Sequence, residues 1–198
     1  TECTITVSNA LDEHLIRELL LQGAKIDAFG VGERLITARS EPVFGGVYKL
    51  AAVEEADGTI TPKIKISENV AKITTPHYKH LYRLYEAANG KAFADYLTVH
   101  DETVDPTQPL ELFDPEATWK RQTVTEYTAI RLQRPIFLRG ALVYQRPSLK
   151  EIRAYCEQQL ATLWDEVKRF ENPHTYYVDL SQKLYEIKNI LLSVHKMS

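Results

Sequence analysis

Within the first 36 residues the hydrophobic period passes from two to about 3.6 and back to two, which restricts the chain to folds built on a strand-helix-strand unit. Residues Cys3-Thr4-Ile5-Thr6-Val7 alternate Thr with apolar side chains and predict a β-strand. Ser8 or Asn9 is expected to cap the next helix, with Asp12 and Glu13 in a first turn favoured by the helix dipole. Leu15, Ile16, Leu19 and Leu20 then repeat at helical spacing as far as Gly23, a glycine stop. A second strand, Lys25-Ile26-Asp27-Ala28-Phe29, runs into Gly30-Val31-Gly32, after which Glu33-Arg34-Leu35-Ile36 begins another helix. The expected class is α/β within a mixed α+β chain.

From Gly45 the pattern becomes β-like. Residues 47–53, 60–66, 81–85 and 93–99 read as short strands. Asp57-Gly58 and Asn89-Gly90 supply positive-φ residues for tight hairpins, so 45–100 is expected to be an antiparallel meander. A loop carrying Pro106, Pro109 and Pro115 follows, then β-like stretches at 124–132 and 136–144. The last fifty residues read as helical. Ser148-Leu149-Lys150-Glu151 is a capping box, and Leu149, Ile152, Cys156, Leu160, Leu163 and Val167 form one apolar stripe up to the break at Asn172-Pro173. Leu180, Leu184, Ile187, Leu191 and Val194 mark a final helix with the spacing of a coiled-coil seam. Three segments are therefore expected: 1–44, a β-rich 45–146, and a helical pair in 147–198.

Composition narrows the partners. The net charge of -3 arises from 24 basic and 27 acidic residues mixed along the chain, so no basic field attracts nucleic acid. No apolar run approaches the roughly 20 residues of a membrane span. The two cysteines, Cys3 and Cys156, lack zinc or redox spacing and suit a reducing cytoplasm. The chain opens directly on a strand without a preceding Met; because a strand needs partners at its edges, a C-terminal portion of a longer protein is expected, with an N-terminal portion missing.

Candidate chemistry centres on the glycine turn. Gly30 and Gly32 sit where a strand hands over to a helix, and there backbone N–H groups approach an anion closely. Two glycines alone more often serve chain geometry. Ser8 and Asn9, however, end the neighbouring strand, and in parallel sheets ligands gather at the C-terminal strand ends. A hydroxyl, an amide and several main-chain N–H groups would then converge on one phosphate or ribose. The six histidines show no metal-ligand company and read as surface or hydrogen-bonded structural residues. Glu54-Glu55 and Asp101-Glu102 read as solvated turns, and Lys63, Lys65, Lys72, Lys79 and Arg83 as the exposed face of a sheet.

Ser8-Asn9-Ala10-Leu11-Asp12-Glu13, Gly23 through Thr37, and Gly45-Gly46-Val47-Tyr48-Lys49-Leu50 resemble, in order and spacing, consecutive motifs of nicotinate phosphoribosyltransferases. The likeness continues more weakly through Ile64-Lys65-Ile66-Ser67, Lys72 to Pro76, Tyr82-Arg83, Pro147 to Arg153 and Val178-Asp179-Leu180-Ser181. It implies that 1–44 are the terminal βα units of an α/β barrel, followed by a β-rich domain. It also implies an enzyme that joins nicotinate to phosphoribosyl pyrophosphate, giving nicotinate mononucleotide and pyrophosphate with coupled ATP hydrolysis. ATP and Mg2+ are expected for the whole enzyme and none is held by this portion alone. Ser8, Asn9, Gly30, Val31 and Gly32 match the positions that hold the ribose phosphate. The family's catalytic histidine, its nicotinate-stacking aromatic and an active-site arginine come from earlier segments, so no catalytic residue is assigned here and the chain alone is expected to be inactive. Two positions depart from the pattern. Glu33 stands where a phosphate-contacting Thr is usual, and Ala10 where an acidic residue is more common. Glu33 is kept as a site residue, and a homo-oligomer is expected. The rival reading is a non-catalytic phosphate-binding or subunit-assembly module, the latter through the 180–194 stripe.

Overall fold

The structure, a computed structural model, describes residues 3–43 and 45–196. The chain forms two compact units, Thr1–Tyr48 and Lys49–Ser198. Phe44, the last residue of the expected first segment, lies outside the described residues.

The first unit contains β1 (Thr6–Ser8), α1 (Glu13–Leu21), β2 (Ala28–Gly30) and α2 (Glu33–Ile36). Strands β1 and β2 are parallel, with Val7 opposite Phe29 and Ser8 opposite Gly30, so the expected βαβ unit is present. Both strands begin later than the alternation suggests. Asp27 and Ala28 N–H both donate to the Ile5 carbonyl at 2.9 and 3.2 Å, and the Ile5 N–H donates to Asp27 Oδ2 at 2.7 Å. Two residues thus oppose one, and a regular ladder starts only beyond them. The helix cap is also displaced. Asn9 and Ala10 adopt φ of 93° and 49°, which cannot lead into a right-handed helix, and Asp12 caps α1 instead, its Oδ1 accepting from Leu15 N–H at 2.9 Å. Gly23, at φ 80°, ends the helix as expected.

The second unit carries β3 (Ala52–Glu54), β4 (Ile60–Pro62), β5 (Lys79–Glu86), β6 (Ala92–Val99), β7 (Leu110–Phe113), β8 (Arg121–Val124), β9 (Tyr127–Arg131), β10 (Phe137–Leu138), β11 (Ala141–Leu142), α3 (Leu149–Thr162), β12 (Tyr177–Leu180) and α4 (Gln182–Lys196). The main sheet has the order β12-β6-β5-β9, with β12 parallel to β6 and the other pairs antiparallel. Three further hairpins, β3-β4, β7-β8 and β10-β11, stand as separate two-stranded ribbons, so 45–100 is not one continuous meander. Both predicted hairpin turns occur, with a correction. Only Gly58 and Gly90 take positive φ (86° and 68°); Asp57 and Asn89 act through their side chains, accepting from Thr59 and Lys91 N–H at 2.9 and 2.8 Å.

The last fifty residues are not all helical. The Ser148–Glu151 capping box starts α3 as expected, but the helix stops at Thr162, ahead of Asn172-Pro173. There the Lys91 ammonium donates to the Ala161 and Leu163 carbonyls at 2.8 and 3.3 Å and lies over the Trp164 ring, satisfying the orphan helix end. Leu180 belongs to strand β12, and its apolar period continues into α4 only because Ser181 caps the next turn, its Oγ accepting from Leu184 N–H at 3.2 Å. One core cluster joins Leu84, Ala94, Tyr96, Leu112 and Tyr127; another joins Val99, Leu180 and Leu184.

Candidate functional site: a cleft at the glycine turn

Parallel pairing of β1 and β2 brings their C-terminal ends side by side, and the chain leaves both ends in turns. A cleft of about 300 Å3 opens there. Of the six residues singled out from the sequence, Asn9, Gly30, Gly32 and Glu33 line it; Ser8 and Val31 do not. Ser8 has another role. It pairs with Gly30, and a Cβ at position 30 would come within 3.0 Å of the Ser8 Cβ, so the close approach of the two strands requires glycine there. Gly32 caps α2, and the first N–H groups to bond within that helix, those of Leu35 and Ile36, both donate to its carbonyl at 3.1 and 3.0 Å.

Two arginines complete the lining, Arg34 and Arg39. Neither is among the site residues assigned from the sequence; two basic residues within seven positions of a glycine turn are the signal available there. Arg34 Nη1 forms an ion pair with Asp12 Oδ2, the same carboxylate that caps α1. This pair holds the guanidinium in place, while Arg34 Nε is buried and has no hydrogen-bond partner among the described residues. A buried N–H donor without a partner carries a desolvation cost of about 1–3 kcal/mol, which an anion in the cleft would relieve.

Elsewhere the polar residues of the sequence are bound into the fold. Lys79 is half-buried, with its ammonium donating to the carbonyls of Thr75, Pro76 and His77 at 2.8, 3.2 and 2.7 Å, and burial holds its pKa below the usual lysine value. Arg83 grips Asp95 through Nε and Nη2 at 2.8 and 3.0 Å, and this bidentate bond raises its pKa. These two are therefore not an exposed basic sheet face. His77 stacks on His100 at 5.6 Å, and Tyr78 on His100 at 5.3 Å; burial lowers the pKa of His77 and His80. Among the described residues no three or more of His, Cys, Asp and Glu are grouped to hold a metal ion, and no helix is long and apolar enough to cross a membrane. The side chain of His195 lies outside the described residues.

With this geometry in view, comparison with known proteins is decisive for the second unit. The model of the nicotinate phosphoribosyltransferase C-terminal domain matches residues 78–188, which span β5 to α4. The chain belongs to this family. It is 41% identical over 197 residues to nicotinate phosphoribosyltransferase of Bacillus subtilis (strain 168), covering 96% of the chain and 40% of that protein. The human protein of the same name is 33% identical over 188 residues, covering 94% of the chain and 34% of that relative. The crystal structure of human nicotinic acid phosphoribosyltransferase superposes with a TM-score of 0.70 at 27% identity, covering 96% of the chain and 33% of that structure. The mixed α+β architecture agrees with it. The chain thus spans between a third and two fifths of the length of these relatives.

Proposed function

We propose that this chain is the C-terminal part of a nicotinate phosphoribosyltransferase, in which nicotinate and phosphoribosyl pyrophosphate give nicotinate mononucleotide and pyrophosphate with coupled ATP hydrolysis. Within that reaction its role is to hold the ribose phosphate. The observation that carries the reading is Arg34, a guanidinium fixed by Asp12 with a buried, unpartnered Nε, in a cleft bordered by Gly30 and Gly32. A phosphate there would accept from Arg34 and Arg39 and from main-chain N–H groups of the turn, and the Asn9 amide would reach a ribose hydroxyl. Ser8, paired with Gly30, sets the close approach of the two strands, and β1-α1-β2 supplies the last βα units of a barrel. Transfer of this kind gains rate by aligning two anionic substrates and stabilising the departing pyrophosphate. This chain contributes the alignment, and the groups that activate nicotinate come from the rest of the longer protein. A homo-oligomer in the cytoplasm is the expected assembly. ATP and Mg2+ are assigned to the whole enzyme, and none of the steps assigned to this chain passes through either.

Subunit assembly through the 180–194 stripe is less well supported, because Leu180 and Leu184 are already buried against Val99 of the same chain. Titration calorimetry tests the phosphate role. Nicotinate mononucleotide should bind the chain and nicotinate riboside, which lacks the phosphate, should bind at least about tenfold more weakly, with Arg34→Ala and Arg39→Ala each abolishing the difference. Equal binding of both compounds would overturn the assignment, as would steady-state turnover of nicotinate by the 198 residues alone for the division of labour.

A further inference from the structure

In the second unit a cavity of about 680 Å3 opens beside the main sheet, within the size range of small-molecule sites. Residues two apart on a strand share a face, and Tyr177 and Asp179 of β12 both turn into this space while Leu180 turns into the Val99 and Leu184 core. Asp179 is only 6% exposed. Its carboxylate faces this cavity and accepts no hydrogen bond from the described residues.

Its neighbours set the charge of the cavity. The two cations that border the cavity are each engaged: Lys120 lies 3.6 Å from Asp114, and Arg121 lies 3.1 Å from Glu111 and stacks on the Phe113 ring at 4.8 Å. Against those two stand four carboxylates, Glu86, Asp114, Glu126 and Asp179, so the border carries a net charge of -2. An anion is disfavoured and a cation favoured. The Phe113 face is taken by Arg121, and the Tyr127 hydroxyl is bound to the Asp105 and Gln108 carbonyls, so among the described residues Phe93 and Tyr177 are the lining aromatics without such a partner.

We propose that this cavity binds a small organic cation with a flat apolar body, its protonated nitrogen on the Asp179 carboxylate and its ring between Phe93 and Tyr177. The site lies within the second unit and needs nothing from the glycine cleft, so it stands or falls independently of the phosphate role. Burial together with the charge of Asp114 raises the Asp179 pKa to about 6, so the carboxyl is ionised at neutral pH at a cost that a bound cation would offset. The ionisable groups around it are Tyr96 opposite on β6, Tyr127, Tyr177, Asp114, Lys120, Arg121, Glu86 and Glu126.

Benzamidine is a suitable probe and benzamide its neutral counterpart. In amide NMR spectra of the full chain at pH 7.5, benzamidine should shift the resonances of Phe93, Tyr177 and Asp179 saturably, and benzamide should bind at least about tenfold more weakly. Asp179→Asn should erase this preference. A second measurement does not depend on the variant: saturating benzamidine should move the Asp179 carboxyl titration to lower pH, since ligand and proton compete for one group. Equal binding of the two probes, a preference that survives Asp179→Asn, or a titration unmoved by benzamidine would each overturn the proposal.

Discussion

Helix α1 of the first unit buries none of its nine residues, whereas strand β6 of the second buries six of its eight. Both carry a clear apolar period in sequence. In α1 that period leaves Leu15, Leu20 and Leu21 at 42%, 52% and 68% exposure, and Leu11 is the one buried apolar residue of the unit among those described. The turn of the first unit is instead held by polar links: Ile5 to Asp27, Leu15 to Asp12 and Arg34 to Asp12. In the second unit the same kind of period closes on opposing strands and becomes a core. An amphipathic pattern therefore specifies an element, and only the facing surface decides whether it stabilises. The residues assigned to phosphate binding lie in the unit with less apolar support, where local opening is easiest.

Core truncation should break this comparison most visibly. Leu184 of α4 is fully buried against Val99 of β6 and Leu180 of β12, so Leu184→Ala should destabilise the chain by about 2–5 kcal/mol in urea unfolding. Leu20→Ala, at a residue 52% exposed, should change stability by no more than about 1 kcal/mol. Equal costs would mean that α1 is packed in solution. Native-state hydrogen exchange gives the same contrast without mutation: amides of β6 should exchange only through global unfolding, and those of α1 at least about tenfold faster through local opening.

A smaller effect belongs to the hairpins and shows what the sequence could convey. Gly90 at φ 68° occupies left-handed space, so Gly90→Ala should cost about 1–2 kcal/mol in the same assay. Such turns were legible because positive φ is a local demand that few residues meet. The βαβ unit and the α3 capping box were legible for similar reasons, being written within a few consecutive residues. Strand β12 was not. Its ladder partner is β6, some eighty positions away, and the run Leu180, Leu184 and Ile187 imitates one helix across a strand-to-helix junction. Strand β7 was lost among prolines for the same reason, since its pairing with β8 is invisible in Pro109-Leu110 alone. In the cleft, the glycines were legible, but Arg34 acquires its meaning only from Asp12, a partner 22 residues earlier.

Asp179 yields a pH test whose sign follows from its environment. Its pKa is raised from 3.8 to about 6 in the folded chain. Between those values the native state binds a proton that the unfolded state has released, so stability falls as pH rises through this window and is level above it. Asp179→Asn cannot ionise. It should therefore be more stable than the parent at pH 7.5, with the difference shrinking toward zero as the pH falls to about 4. A variant less stable at pH 7.5 would show that the carboxylate has a partner in the fold after all.

The finest test returns to the cleft, at the residue whose charge opposes the phosphate reading. Glu33 is exposed at the start of α2 and lines the cleft, so Glu33→Thr should leave stability within about 0.5 kcal/mol. Its effect on binding is set by distance. Two unit charges about 6 Å apart in a water-like medium repel by roughly 0.7 kcal/mol, about threefold in affinity, and more where water is excluded. Glu33→Thr should accordingly tighten nicotinate mononucleotide by about threefold or more, with the gain reduced at high salt because exposed charges are screened. Nicotinate riboside should show no such gain. If the mononucleotide binds both forms equally at low salt, the Glu33 carboxylate points out of the cleft, and Arg34 and Arg39 set its sign alone.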